Sequence, residues 1–211
     1  MWEYEKFDRI GITPHRSYYI PFGEKDDVHT IFGIQDRQSS SRFISFDGVW
    51  QIKRLSHVED FAINEALDAA IPVPSCVQMH GYDQIQHLNM RFPFPVILPH
   101  IPYENLCWHY RRTFALSKEA GQKYYLNFEG VDSAFYLYIN EKFVGYSQIS
   151  HATSEFDITN VICDGENRMD VLVLKWCIST YLECQDKFRF SGIFRNVYLT
   201  TDHSGKGAKE S

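Results

Sequence analysis

Strand-like alternation of apolar and polar positions first appears at Arg42-Phe43-Ile44-Ser45-Phe46, turns at Asp47-Gly48 and resumes at Val49-Trp50-Gln51-Ile52. The pattern predicts two strands joined by an Asp-Gly hairpin. Beyond residue 106 alternation returns in short runs, predicting strands over 108–116, 123–128, 134–139, 142–146, 154–157, 170–176 and 196–200. Asn140-Glu141 marks a tight turn between two of them, and Asp164-Gly165-Glu166-Asn167 opens another. The run Val171-Leu172-Val173-Leu174 is apolar on both faces and belongs in the core. Strands at this spacing without intervening helices predict an all-β sandwich or barrel.

The remaining segments lack that regularity. Residues 58–70 have a helical flavour, with Phe61, Glu65 and Leu67 among alanines, and predict a short helix or a loop. Six prolines between 71 and 103 each remove a backbone donor, so this stretch is not central sheet throughout but a long, structured surface segment. The first forty-odd residues carry turn formers such as Thr13-Pro14 and Ile20-Pro21-Phe22-Gly23 and read as an extended arm over a core. The expected division is an arm over 1–44, a sandwich over 45–201 and a disordered tail over 202–211, which has no large apolar anchor.

Composition narrows the function classes. Aromatic residues make up 16% of the 211, which favours strands. Lys+Arg 21 against Asp+Glu 27 gives a net charge of -6 without a basic stripe, so nucleic acid is not an expected partner. The N-terminus lacks the basic start and apolar run of a signal peptide, and no apolar run approaches membrane-spanning length, so a soluble, cytoplasmic protein is expected. Five cysteines at irregular spacings, without a C-x-x-C pair, read as reduced, mostly buried thiols.

No G-x-S-x-G, phosphate-loop or H-E-x-x-H motif is present, and the nine histidines are scattered. Two constellations stand out. One is Pro74-Ser75-Cys76-Val77-Gln78-Met79-His80-Gly81-Tyr82-Asp83, followed by Asn89, where prolines hold polar groups on a rigid loop. The other is 181–195, which mixes the acids Glu183 and Asp186, the amide Gln185, the bases Arg189 and Arg195, and aromatic rings. Carboxylates, amides and aromatic faces are what sugar sites combine. The alternative is a solvated loop whose Arg189 and Arg195 pair with nearby acids.

These stretches carry a resemblance. The chain resembles the N-terminal sugar-binding domain of family-two glycoside hydrolases, and within it the large β-galactosidases, over roughly residues 7–200. It rests on Pro14-His15-Arg16-Ser17-Tyr18-Tyr19, Phe46-Asp47-Gly48-Val49-Trp50, Gln78-Met79-His80-Gly81-Tyr82-Asp83, Phe128-Glu129-Gly130-Val131-Asp132-Ser133, Val144-Gly145-Tyr146-Ser147-Gln148, Ser154-Glu155-Phe156-Asp157, Tyr181-Leu182-Glu183 with Gln185-Asp186, and Ser191-Gly192-Ile193-Phe194-Arg195.

The resemblance implies a jelly-roll β-sandwich of the galactose-binding type that lends loops to the active site of a (β/α)8 barrel. It places Asn89 and Asp186 at positions that contact galactose hydroxyls, and Asp186 also at a ligand of an active-site sodium ion. Gln148 matches a position that helps hold a peripheral magnesium in some members, but Ile178 stands where a partner acid is expected, so no magnesium site is assigned to this chain. The family's two catalytic glutamates lie on the barrel, so this chain alone is expected to hydrolyse nothing, while its parent is expected to be a retaining β-galactosidase. Implied partners are a β-galactoside such as lactose, the parent's immunoglobulin-like and barrel domains, and further copies of a homo-oligomeric parent. Sodium and magnesium are its implied cofactors. Two departures, Cys76-Val77 for the family's Asn-Trp and His87-Leu88 for its Tyr-Thr, bear on sugar preference and on fit to the barrel. A stand-alone galactoside-binding lectin is the alternative.

Overall fold

The computed structural model describes residues 9–27, 34–88, 92–183 and 186–203. Alternating sequences become strands because successive side chains point to opposite faces, and here they build two facing antiparallel sheets. The larger runs, in spatial order, β1 (Arg9–Ile10), β10 (Lys142–Ser147), β9 (Ala134–Ile139), β12 (Gly165–Leu174), β6 (Cys107–Leu116), β3 (Gly48–Leu55) and β4 (Ala69–Val73). The smaller runs β11 (Ser154–Asp157), β7 (Gln122–Phe128), β15 (Val197–His203) and β2 (Phe43–Ser45). Two short ribbons pair β5 (Gln86–Leu88) with β13 (Lys187–Arg189), and β8 (Val131–Asp132) with β14 (Gly192–Ile193). Helix is confined to α1 (Thr180–Glu183) and isolated 3-10 turns among the described residues. The all-β sandwich expectation is met.

The core lies between the sheets. Tyr124, Leu126 and Phe128 of β7 and Phe156 of β11 meet Trp50, Ile52, Trp108, Tyr110, Met169, Val171 and Val173 from the larger sheet. Leu172 and Leu174 point the other way, joining Leu55, Cys107, Tyr136 and Tyr146 in a second cluster sealed by Val58 and Phe61. Burial on both faces explains why residues 171–174 are apolar without interruption. Burial pushes the Cys107 thiol up to about 12 and the Cys177 thiol up to about 11, so both remain neutral packing groups. Cys163 is exposed.

The segment that seals the outer cluster is held by charge. It contains one 3-10 turn, Val58–Asp60, and no longer helix. Glu65 meets His109 Nδ1 at 2.9 Å and Lys53 Nζ at 2.5 Å, and Arg111 donates to the backbone carbonyls of Ile63 and Glu65. Beneath it Asp170 accepts from His109 Nε2 at 2.8 Å, Arg111 Nε at 2.6 Å and Arg168 Nε at 2.8 Å. This strap is pinned to β6 and β12 through the fully buried side chains of His109 and Asp170.

Turns set the connections. Asn140 and Glu141, at φ 49° and 66°, join β9 to β10 in the left-handed conformation that a two-residue hairpin needs. Asp47-Gly48, by contrast, does not form the expected hairpin. Strand β2 pairs with β15 and β3 with β4 and β6, so the chain crosses from one sheet to the other at this point. The physical reason is Asp47: its carboxylate accepts from Val197 N at 3.0 Å and from Asn196 Nδ2, while Phe46 N donates to Val197 O at 2.8 Å. These bonds tie the Asp47 turn and the end of β2 to the start of β15 rather than to β3.

Pro72 sits in β4, at the edge of the larger sheet, where a missing donor is tolerated. The arm contributes structure of its own, since β1 adds to the opposite edge beside β10 and residues 12–13 bind β11. Strand β15 continues through Asp202 and His203, two residues into the segment expected as tail. Residues 204–211 lie outside the described residues.

Candidate functional site

The two constellations singled out in the sequence meet at one end of the sandwich. Ser75 N donates to Ile193 O at 2.8 Å and Val77 N to Ser191 O at 2.9 Å, so the proline-bounded loop lies along β14. Gln78 extends the junction, accepting from Ser191 N at 2.9 Å through Oε1 and donating to Asp83 at 3.1 Å through Nε2. Asp83 in turn meets Lys175 Nζ at 2.6 Å, both side chains being nearly buried. Lys175 follows the apolar run of β12, and a lysine brought to that depth requires a carboxylate partner.

Above this junction stands the β5–β13 ribbon, in the register Lys187 to Leu88, Phe188 to His87 and Arg189 to Gln86. Alternation along β13 turns Phe188 outward and Arg189 inward, at 1% exposure. Arg189 Nη2 lies 3.1 Å from Asp132 Oδ1 and donates to Ser133 Oγ. Its guanidinium and the Lys175 ammonium lie over Trp176, 5.6 and 5.3 Å from the ring centroid, an arrangement that favours both cations. Ser150 Oγ, 3.3 Å from Asp132 Oδ1, donates to Glu183 of α1 at 2.6 Å. The ribbon is therefore rooted in a buried ionic floor. Arg189 Nε and Nη1 find no acceptor in it.

The tip of the ribbon faces solvent. Asp186 immediately precedes β13, is 70% exposed, and meets His87 Nε2 at 3.0 Å through Oδ1. His87 packs on Phe188 with ring centroids 5.4 Å apart. Asn89, Cys184 and Gln185 lie outside the described residues. Leu182, Phe188 and Met79 are exposed around this end.

Not every highlighted residue is at the tip. Arg189 pairs with an acid, but inside the protein rather than on a solvated loop, while Arg195 donates to His151 O at 3.5 Å and packs over Phe194. Gln148 is buried, accepting from the Tyr146 hydroxyl at 3.3 Å. Burial and the Asp132 carboxylate raise the Cys76 thiol pKa, which leaves it no thiolate nucleophile. Sequence reasoning gives Lys175, Trp176 and Asp132 no role at the site, although Asp132 lies in a stretch that carries the resemblance and the other two end a predicted strand. The one available signal was a lysine and a tryptophan directly after four buried apolar positions.

Among the described residues no cluster of three or more His, Cys, Asp or Glu side chains could hold a metal ion by itself. No described helix is long and apolar enough to cross a membrane.

Comparison with known proteins places this geometry. The family model for glycosyl hydrolases family 2, sugar binding domain, matches residues 41–203. The chain is 45% identical over 195 residues to a β-galactosidase of Staphylococcus xylosus and 42% identical over 193 residues to one of Actinobacillus pleuropneumoniae. Each match covers 90% of this chain and 19% of the relative, so the chain spans about a fifth of these proteins. Among solved structures, a β-glucuronidase of Bacteroides uniformis matches with a TM-score of 0.58 at 18% identity, over 76% of this chain and 18% of that one. A β-glucuronidase from glycoside hydrolase family 2 matches with a TM-score of 0.55 at 21% identity, over 76% of this chain and 17% of that one. These structural likenesses speak for the fold. The family match and the two relatives together make the chain a member of the sugar-binding domain family of glycosyl hydrolases family 2.

Proposed function

We propose that this chain is the sugar-binding domain of a retaining β-galactosidase, and that its β5–β13 ribbon forms one wall of a galactoside pocket completed by a (β/α)8 barrel. The position of Asp186 carries this reading. It is an exposed carboxylate at the tip of a ribbon whose base is fixed by a buried ionic floor. Asn89 follows Leu88, and Asp186 precedes Lys187, so in the sequence both proposed sugar contacts adjoin the last pair of the same ribbon.

Asp186 suits its role chemically. A carboxylate has two oxygens, and among the described residues His87 meets Oδ1, so Oδ2 is offered to a galactose hydroxyl or a sodium ion in this reading. One oxygen ligand does not make a metal site, so the remaining sodium ligands belong to the barrel. Magnesium is assigned to no residue of this chain, Gln148 being already engaged within the fold. The exposed Leu182, Phe188 and Met79 around the ribbon support a partner domain docking at this end, because apolar surface of this kind is more stable covered. The parent is read as a cytoplasmic homo-oligomer acting on a β-galactoside such as lactose.

The two barrel glutamates perform the hydrolysis in this account. The purified 211-residue chain therefore leaves a chromogenic β-galactoside untouched, whereas its full reading frame hydrolyses it. Turnover by the chain alone contradicts the reading. So does Asp186-dependent, sub-millimolar galactose binding by the chain alone, which would make it a lectin.

A further inference from the structure

The two faces of the β5–β13 ribbon differ in what they hold. On the inner face Arg189 roots the ribbon beside Asp132, while the outer face carries a cluster of three residues. Register sets His87 directly opposite Phe188. Asp186, two residues before Phe188, stands diagonally across from the same His87. Direct and diagonal cross-strand neighbours on one face come within reach of aromatic and long side chains. Here both contacts are made. The His87 and Phe188 rings lie 5.4 Å apart at their centroids, and His87 Nε2 lies 3.0 Å from Asp186 Oδ1.

An ionised carboxylate only accepts hydrogen bonds, so the proton of this bond sits on Nε2 and the imidazole is the donor. The bond adds little to folding, because His87 is 45% and Asp186 70% exposed, and pairs so open to solvent are weak. Its effect falls on the freedom of the carboxylate. An aspartate ahead of a strand turns about two side-chain torsions, and a group about 1 Å out of place costs up to roughly a hundredfold in rate. Held through Oδ1, the Asp186 carboxylate is restricted in the direction in which it presents Oδ2. Phe188 restricts the donor in its turn, packing on the His87 ring from the opposite strand.

We propose that His87 is a positioning residue of the galactoside site, orienting Asp186 by a hydrogen bond while Phe188 braces the imidazole. The inference rests on the reading of Asp186 as a sugar and sodium contact. Hydrogen-bond partners one step removed from a ligating group are worth about 10–100-fold in affinity or activity.

Two substitutions in the parent enzyme test it. His87→Phe keeps a ring to pack on Phe188 and removes the donor, whereas His87→Gln offers an amide N–H at a reach similar to that of Nε2. His87→Phe is expected to lower kcat/KM for a chromogenic β-galactoside by about tenfold or more. It should weaken calorimetric binding of a non-hydrolysed thiogalactoside by a similar factor and leave the thermal unfolding temperature unchanged. His87→Gln is expected to stay within about threefold of the unsubstituted enzyme in both assays. Because His87 acts through Asp186, the loss caused by His87→Phe should vanish when Asp186 is already alanine. Full kcat/KM and thiogalactoside binding in His87→Phe, with Asp186→Ala impaired, would overturn the inference and leave the role of Asp186 standing. So would equal losses in His87→Phe and His87→Gln, or an undiminished His87→Phe loss in the Asp186→Ala background. An Asp186→Ala enzyme with full kcat/KM would instead remove the reading beneath it, and this inference with it.

Discussion

Replacing Asp170 by asparagine tests the strap over the outer face of the larger sheet. Asp170 is fully buried, and its carboxylate accepts from His109 Nε2, Arg111 Nε and Arg168 Nε at 2.6–2.8 Å. Asparagine has nearly the same shape but presents an NH2 group where an oxygen stood, so at least one donor faces another donor. It also removes the single charge that sits between two guanidinium groups. Breaking a buried ion pair from one side costs roughly 3–5 kcal/mol, against a total domain stability of about 5–15 kcal/mol. The chain should remain folded but lose about 1 M or more of its urea midpoint. Asp157→Asn is the control, since Asp157 is partly exposed and 3.9 Å from Lys123, and it should change stability by about 0.5 kcal/mol or less. If Asp170→Asn falls within that margin of the parent sequence, the strap is not held by this network and the reasoning fails.

The same network fixes a pH dependence. Burial would raise the Asp170 and Glu65 carboxyl pKa values, but the imidazole of His109 acts on both, Arg111 on Asp170 and Lys53 on Glu65, and the net shift of each is downward. A carboxyl depressed in the folded state contributes stability that is present above its unfolded pKa and lost as pH falls through the folded one. Stability should therefore decline below the ordinary values of 3.8 and 4.5, and less steeply in Asp170→Asn. Glu141→Gly should stabilise the chain by roughly 1 kcal/mol in thermal unfolding, because Glu141 occupies φ 66° and gives up only an exposed contact with Arg168. Gly145→Ala places a methyl 2.1 Å from Ile10 O and 2.7 Å from Phe156, so it should destabilise by about 2 kcal/mol or more and raise hydrogen exchange in β1 and β10. Arg189→Met leaves Asp132 buried without its cation and should cost about 3–5 kcal/mol by urea titration.

Local pattern made most of the sandwich legible. Strands 134–139 and 154–157 stand where alternation put them, and the doubly apolar run of β12 is buried on both faces. Asn140-Glu141 was readable because the backbone of that turn is a property of the two residues themselves. Asp47-Gly48 misled because its outcome depends on Asn196 and Val197, about 150 positions away, which bind the Asp47 carboxylate. The strap was unreadable for the same reason: Glu65 makes sense only with His109, 44 positions on, and no periodicity marks it. At the site, composition identified both loops, and the structure brings them together. The ionic floor beneath them stayed hidden because Lys175, Asp83, Asp132 and Arg189 find one another only through the fold.

The composite pocket is the central claim, and Asp186 is its most direct handle. The decisive measurement is kcat/KM for a chromogenic β-galactoside in the parent enzyme carrying Asp186→Ala, alongside its thermal unfolding temperature. Because Asp186 is exposed and touches only His87 among the described residues, the unfolding temperature should stay unchanged. Loss of a sugar and sodium contact should lower kcat/KM by about a hundredfold or more. Unchanged kcat/KM in a folded Asp186→Ala parent would contradict the account.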